Sequence, residues 1–195
     1  MTVRAAVLAL ALPLSSILAA CHTTPAPAPP ATVASTAVPA HTPLAPPDAV
    51  GARSATQVIH AAYGARSVVL RTAIEVADGK LEVVGVTANG LRVFTARYDG
   101  KTIDAQKSPF VPDKLDPERV LADMQLALWP LPAVQAAFRE RGLDVSEPFP
   151  GVRRLLRGAA LLAEVHYTSA DPWNGRLWFV NFEFDYSLTI DTAPN

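Results

Sequence analysis

The sequence predicts an α+β fold, a curved antiparallel sheet covered by two helices inserted mid-chain. Three observations point to it. The turn dipeptides Asp78-Gly79, Asn89-Gly90 and Asp99-Gly100 recur at intervals of about ten residues, one strand per interval. Apolar and polar residues alternate between these turns, the period of a strand with one buried face. Helical spacing then begins at Asp116-Pro117-Glu118, and alternation resumes near Leu161.

The N-terminal quarter of the chain is expected to lie outside the fold. Arg4 precedes an apolar run from Ala5 to Leu14, as in a signal peptide. The run is shorter than the roughly 20 residues a membrane span needs. Leu18-Ala19-Ala20-Cys21 closes the segment and places the chain's single cysteine there. One cysteine excludes an intramolecular disulfide. Residues 21–50 are mostly Ala, Pro, Thr and Ser, with eight of the 18 prolines, and have too little to bury to fold. They are expected to form a tether, extended by proline at about 3.1 Å per residue. His22 and His41 sit in this stretch as isolated imidazoles and make no metal cage.

Residues 51–195 are expected to form one domain. A chain of that length buries roughly 70% of its unfolded surface. Strands are predicted near 66–77, 80–88, 91–98 and 101–107. If each turn takes two residues, Val76 faces Leu81, Ile74 faces Val83, Gly85 faces Phe94, Val83 faces Ala96, and Ala96 faces Ile103. These residues share one apolar face with Leu70 and Tyr98. The other face collects Arg71, Glu75, Glu82, Thr95, Arg97 and Asp104, with Glu82 opposite Arg97. Val84, Val86 and Val93 interrupt it.

An apolar sheet face needs a cover. Asp116 is a helix cap with proline at the first helical position. Val120, Leu121, Met124 and Leu128 form a stripe that ends at Trp129-Pro130. A second short helix runs from Pro132 to Arg141 and stops at Gly142. Strands resume at 161–168, followed by a turn at Asp171-Pro172-Trp173-Asn174-Gly175. From Trp178 to Ile190 every even position is apolar, a run longer than an ordinary strand and expected to bend near Asn181.

Charge and motifs restrict the function. Seventeen Lys and Arg oppose 18 Asp and Glu. No basic stripe is available for phosphates, so nucleic acid is not an expected partner. Neither G-x-S-x-G, H-E-x-x-H nor a phosphate-binding glycine loop occurs, and no catalytic residue, metal or cofactor is expected. Glu164 and His166 fall on one strand face, read as a solvent-facing polar pair rather than an acid/base couple. Arg153, Arg154 and Arg157 are read as a solvated basic face.

Residues 18–21 resemble the lipobox of bacterial lipoproteins, in which the cysteine is acylated and becomes the first mature residue. That implies a membrane partner reached through lipidated Cys21; without Asp at His22, the sorting rule of enteric-type bacteria implies the outer membrane, the domain facing the periplasm. The assembled architecture resembles the LolA/LolB superfamily, whose half-barrel holds acyl chains under a helical lid. Closer still is the likeness to a proteobacterial lipoprotein family, domain of unknown function 3261. Tyr98-Asp99-Gly100, Leu121-Ala122-Asp123-Met124-Gln125-Leu126 running into Trp129-Pro130, and Tyr186-Ser187-Leu188-Thr189-Ile190 carry that likeness. Members often lie among genes for aryl-polyene pigments, which implies a lipid-like cargo. The expected ligand is a hydrophobic lipid or acyl chain held by Leu70, Ile74, Val83, Phe94, Ile103, Met124 and Trp129, the function its transport or localisation. The alternative is a non-catalytic envelope scaffold with a filled core, acting through protein partners.

Overall fold

The computed structural model describes residues 36–37, 44–111 and 115–195. The predicted signal peptide, Cys21 and nearly all of the tether lie outside the described residues. Ten strands of six residues or more form one antiparallel sheet: β2 (Arg53–Tyr63), β3 (Arg66–Ala77), β4 (Lys80–Thr87), β5 (Arg92–Tyr98), β6 (Thr102–Lys107), β7 (Asp144–Phe149), β8 (Val152–Arg157), β9 (Ala160–Tyr167), β10 (Gly175–Asn181) and β11 (Tyr186–Pro194). Two-residue β1 (Thr36–Ala37) adds to the β6 edge. Helices α1 (Pro117–Leu128) and α2 (Leu131–Arg139) stand between β6 and β7.

The strand order is β1-β6-β5-β4-β3-β2-β11-β10-β9-β8-β7, open at both ends. The sheet curves around α1. That helix packs on β5 and β6 and also accepts a hydrogen bond from Arg153 on β8. In a flat sheet β6 and β8, eight places apart in that order, would be about 38 Å from each other at the usual strand spacing. A single helix touches both only if the sheet wraps it. The α+β class with a curved sheet and mid-chain helices is thus the observed fold.

The first hairpin is the one the sequence predicts. Asp78 and Gly79 both have positive φ, and Val76 pairs with Leu81 and Ile74 with Val83. The second keeps the predicted pairs Gly85–Phe94 and Val83–Ala96 and departs only next to its turn. Only Gly90 has positive φ, and the register shifts between Gly85 and Val86 so that Val86 opposes Arg92. The bulge leaves Val93 and Phe94 both buried, which accounts for an apolar Val93 on an otherwise polar face. The third hairpin is a correction. Ile103 pairs with Tyr98, and Ala96 pairs with Ala105. The Asp99 carboxylate accepts hydrogen bonds from the backbone N–H groups of Lys101 and Thr102, which opens the loop to four residues. A slip of two preserves the faces: Ala96, Tyr98 and Ile103 are all buried.

Three further corrections come from the second half and the N-terminus. The apolar run 178–190 is not one bent strand. It splits into β10, a turn at 182–185 and β11, and in β10 the odd residues Leu177, Phe179 and Asn181 face inward while Trp178 is exposed. Strands β2, β7 and β8 lie outside the strands the sequence predicts. The body also starts before Gly51: Ala45 and Pro47 are buried, and Pro47–Val50 form a 3-10 turn.

Gly85 shows how tightly the sheet is filled. A Cβ there would sit 2.4 Å from Cε1 of Phe94 on the neighbouring strand. The ring lies over the bare backbone of its cross-strand partner. Gly85→Ala is expected to cost about 1–3 kcal/mol through overpacking, read as a lower urea midpoint at unchanged slope.

Candidate functional site

The site is built around α1. Asp116 caps its start, accepting a hydrogen bond from the Glu118 backbone N–H at 3.0 Å. Its end is buried, where water cannot satisfy the last carbonyls. The sheet supplies donors instead. Arg153 Nη1 donates to the carbonyls of Leu126 at 2.7 Å and Trp129 at 2.8 Å. Tyr167 Oη donates to Ala127 at 2.7 Å, and Trp173 Nε1 to Leu128 at 3.0 Å. Arg153 is therefore buried, not part of a solvated basic face, and Glu147 accepts from its Nε and Nη2. Its charge also complements the negative end of the helix. Arg154 and Arg157 do lie on the surface side, paired with Glu164 and Glu183.

The strap at 44–50 is tied to the same helix. Gln125 Oε1 accepts from the Ala45 N–H at 2.6 Å, and its Nε2 donates to the Ala45 carbonyl at 3.0 Å. Trp129 Nε1 donates to the Pro46 carbonyl at 3.1 Å. These contacts explain why α1 buries Gln125, Leu126 and Ala127 beyond the predicted stripe. Across the sheet, Thr72, Gln57 and Thr192 form a buried polar row linked by hydrogen bonds of 3.4 and 3.0 Å.

The first half of α1 is held differently. Tyr186 on β11 donates a short hydrogen bond to the Asp123 carboxylate, and Asn181 Nδ2 donates to Tyr186 Oη at 3.2 Å. Burial pushes the Asp123 carboxyl up to about 7, against the opposing pull of Tyr186, Arg119 and Asn181. Burial and the adjacent Asp123 charge push the Tyr186 phenol up as well.

The nominated lipid-contacting residues divide into two groups. Ile74, Val83, Phe94, Ile103 and Trp129 are at most 2% exposed. They fill a core shared by sheet, strap and helices. Leu70 and Met124 retain 8% and 7% exposure. Beyond Leu70 the inward face changes character. Ala61, Val68 and Leu188 point inward on the neighbouring strands β2, β3 and β11, with Val68 and Leu188 each opposite Ala61. They are only partly buried, as are Leu115 and Val120 at the start of α1. This partly open apolar strip lies toward the end of the sheet where α1 begins. Sequence reasoning stopped one turn short of it because β2 had not been recognised.

Glu164 and His166 do share a face, with His166 Nε2 at 2.6 Å from Glu164 Oε1. Hydrogen bonds from Arg154 and then His166 hold the Glu164 carboxyl below the usual range. Such a carboxylate is a weak base. The pair stands on the outer face, and His166 is exposed. Among the described residues, no helix is long and apolar enough to cross a membrane, and no cluster of three or more His, Cys, Asp or Glu is placed to hold a metal.

A family model described as protein of unknown function (DUF3261) matches residues 54–194, from the second residue of β2 to the last of β11. No curated protein matches the chain.

The raised Asp123 carboxyl makes stability depend on pH. Its folded value of about 7 lies above the ordinary carboxylate value. The stabilising contribution is complete below the unfolded value and is lost as pH rises through about 7. Asp123→Asn keeps an oxygen for Tyr186 and cannot ionise. The melting temperature of this variant is expected to exceed the parent's by several degrees at about pH 8, the gain shrinking below about pH 7 and vanishing only toward about pH 3. Parallel melting profiles across that range would contradict the assignment.

Proposed function

We propose, for a chain that belongs to the DUF3261 family, that it is an envelope lipoprotein anchored through Cys21 which holds the apolar chain of an amphipathic lipid and assists its transport or localisation at the outer membrane. The observation that carries this reading is the inward strip of Ala61, Val68 and Leu188, partly exposed beside the packed core, with Val120 and Leu115 at the start of α1 also only partly buried. Ligand sites are mostly apolar with few polar groups. Asp123, Tyr186 and Asn181, joined by hydrogen bonds at the first turns of α1, suit a head group at the rim. The half-barrel likeness to LolA/LolB proteins and the likeness to a lineage associated with aryl polyenes are consistent with a long apolar cargo. A lipobox cysteine carries more than one acyl chain, and two signals make anchoring stable.

The proposed role is non-catalytic. The one Glu–His pair noted from the sequence stands on the exposed sheet face with its carboxylate committed to Arg154. A second reading, an assembly scaffold, is favoured by the closed packing around Ile74, Val83, Ile103 and Trp129. It differs in needing no guest.

Native mass spectrometry of the protein purified from its host is expected to show added lipid mass, and the purified chain is expected to take up a fluorescent fatty acid. Val68→Trp fills the strip and is expected to lower that uptake at least tenfold without lowering the melting temperature. Labelled palmitate is expected to enter the parent and not Cys21→Ser. A parent without added mass and without uptake would favour the scaffold. Palmitate in neither chain would remove the anchor.

A further inference from the structure

The strands alternate in direction, so their turns gather at two ends. One end carries the turns at 63–66, 87–91, 157–160 and 182–185, together with 108–111 as the chain leaves β6. Seven large hydrophobic residues are exposed among the described residues, and four belong to this end: Leu91 at 54%, Phe110 at 61%, Phe182 at 53% and Phe184 at 50%. The opposite end, with the turns at 77–80, 98–102, 149–152 and 168–174, contributes one, Phe149 at 60% beside the 149–152 turn. Phe184 is held in place as well as exposed. The Arg119 guanidinium lies 4.1 Å from its ring centroid, and the Phe184 backbone N–H donates to Asn181 Oδ1 at 3.0 Å.

Charge accompanies these tips. Arg66, Arg92 and Arg157 are exposed beside the same turns. Of the acids in the 182–185 turn, Glu183 accepts from Arg157 at 2.9 Å, and Asp185 occupies a positive-φ position. Apolar side chains on three separate loops, with Arg66 and Arg92 exposed beside them, do not make the single close-packed patch a protein partner would need. They suit a fluid interface, where apolar tips enter the acyl boundary and guanidinium groups meet anionic head groups.

We propose that this end is a docking surface for a lipid bilayer bearing anionic head groups, with Leu91, Phe110, Phe182 and Phe184 entering the interface. The surface goes beyond the lipid-holding reading and does not rest on it. It would bring the partly open strip against the membrane, since α1 begins at the same end.

The test uses the mature chain, residues 21–195, with Cys21→Ser so that no acyl chain contributes. It is mixed with vesicles of phosphatidylglycerol and phosphatidylethanolamine, or of phosphatidylcholine alone, and sedimented. Partition onto the anionic vesicles is expected. Combined Leu91→Ser, Phe110→Ser and Phe182→Ser should reduce it at least tenfold at an unchanged melting temperature, because these side chains are exposed and none of them holds α1. Phe182→Trp should report entry through a blue shift of emission when anionic vesicles are added. No partition onto either vesicle, or equal partition by the triple variant, would overturn the proposal. A dimer abolished by the triple variant, with no vesicle binding, would assign the surface to a second copy of the chain. Vesicle binding without fatty-acid uptake would retain the docking surface and remove the carrier reading.

Discussion

Everything in this fold depends on satisfying the buried C-terminal end of α1. A helix that ends inside a protein leaves carbonyls without water, and each unpaired buried group costs about 1–3 kcal/mol. Here the backbone N–H of Trp129 reaches Gln125, and side chains from three places on the sheet reach the others: Arg153 on β8, Tyr167 on β9 and Trp173 in the turn before β10. The donors come from the far half of the sheet, while the helix packs on β5 and β6. Satisfying the helix end and curling the sheet are therefore one event. Gln125 extends the same logic to the strap, presenting an amide that pairs with the Ala45 backbone as a neighbouring strand would.

This arrangement makes α1 asymmetric. Its last turns are tied to the sheet and the strap, and the apolar side chains there are buried. Its first turns are held by Tyr186 on Asp123 and by Arg119 over Phe184. The apolar side chains around them stay partly open. That asymmetry locates both the strip proposed to hold a guest and the loop tips proposed to meet the membrane. The polar row of Thr72, Gln57 and Thr192 crosses the sheet interior deeper in, where each side chain has a partner and adds specificity to the strand register.

The meander was legible because its signals are local. Asp78-Gly79 demands a tight turn, and the alternation on either side sets the faces. Asp116-Pro117 and Gly142 announced helix boundaries within a residue or two; Gly142 sits at positive φ with Leu143 N–H reaching Phe138 O, a helix stop. What was not legible is what tertiary pairing decides. β2 has Gln57 on its inward face and polar residues around it, so no alternation stands out. Arg153 looks like a surface cation until a helix end arrives to use it. In 178–190 the even-position aromatics suggested one face, yet Asn181 closes a turn by accepting from the Phe184 N–H, and the inward residues of β10 are the odd ones. The candidate site suffered accordingly: Leu70 and Met124 border the strip, whereas Ile74, Val83, Phe94, Ile103 and Trp129 belong to the packed core.

The most direct test of this account is the unfolding free energy of Arg153→Met, measured in urea beside Arg154→Met. Both remove a guanidinium from β8. Only the first takes donors away from the carbonyls of Leu126 and Trp129. The account predicts a loss of about 3 kcal/mol or more for Arg153→Met and, for the exposed Arg154 pair, a change within about 1 kcal/mol. Equal small losses for the two variants would show that the end of α1 does not organise the fold.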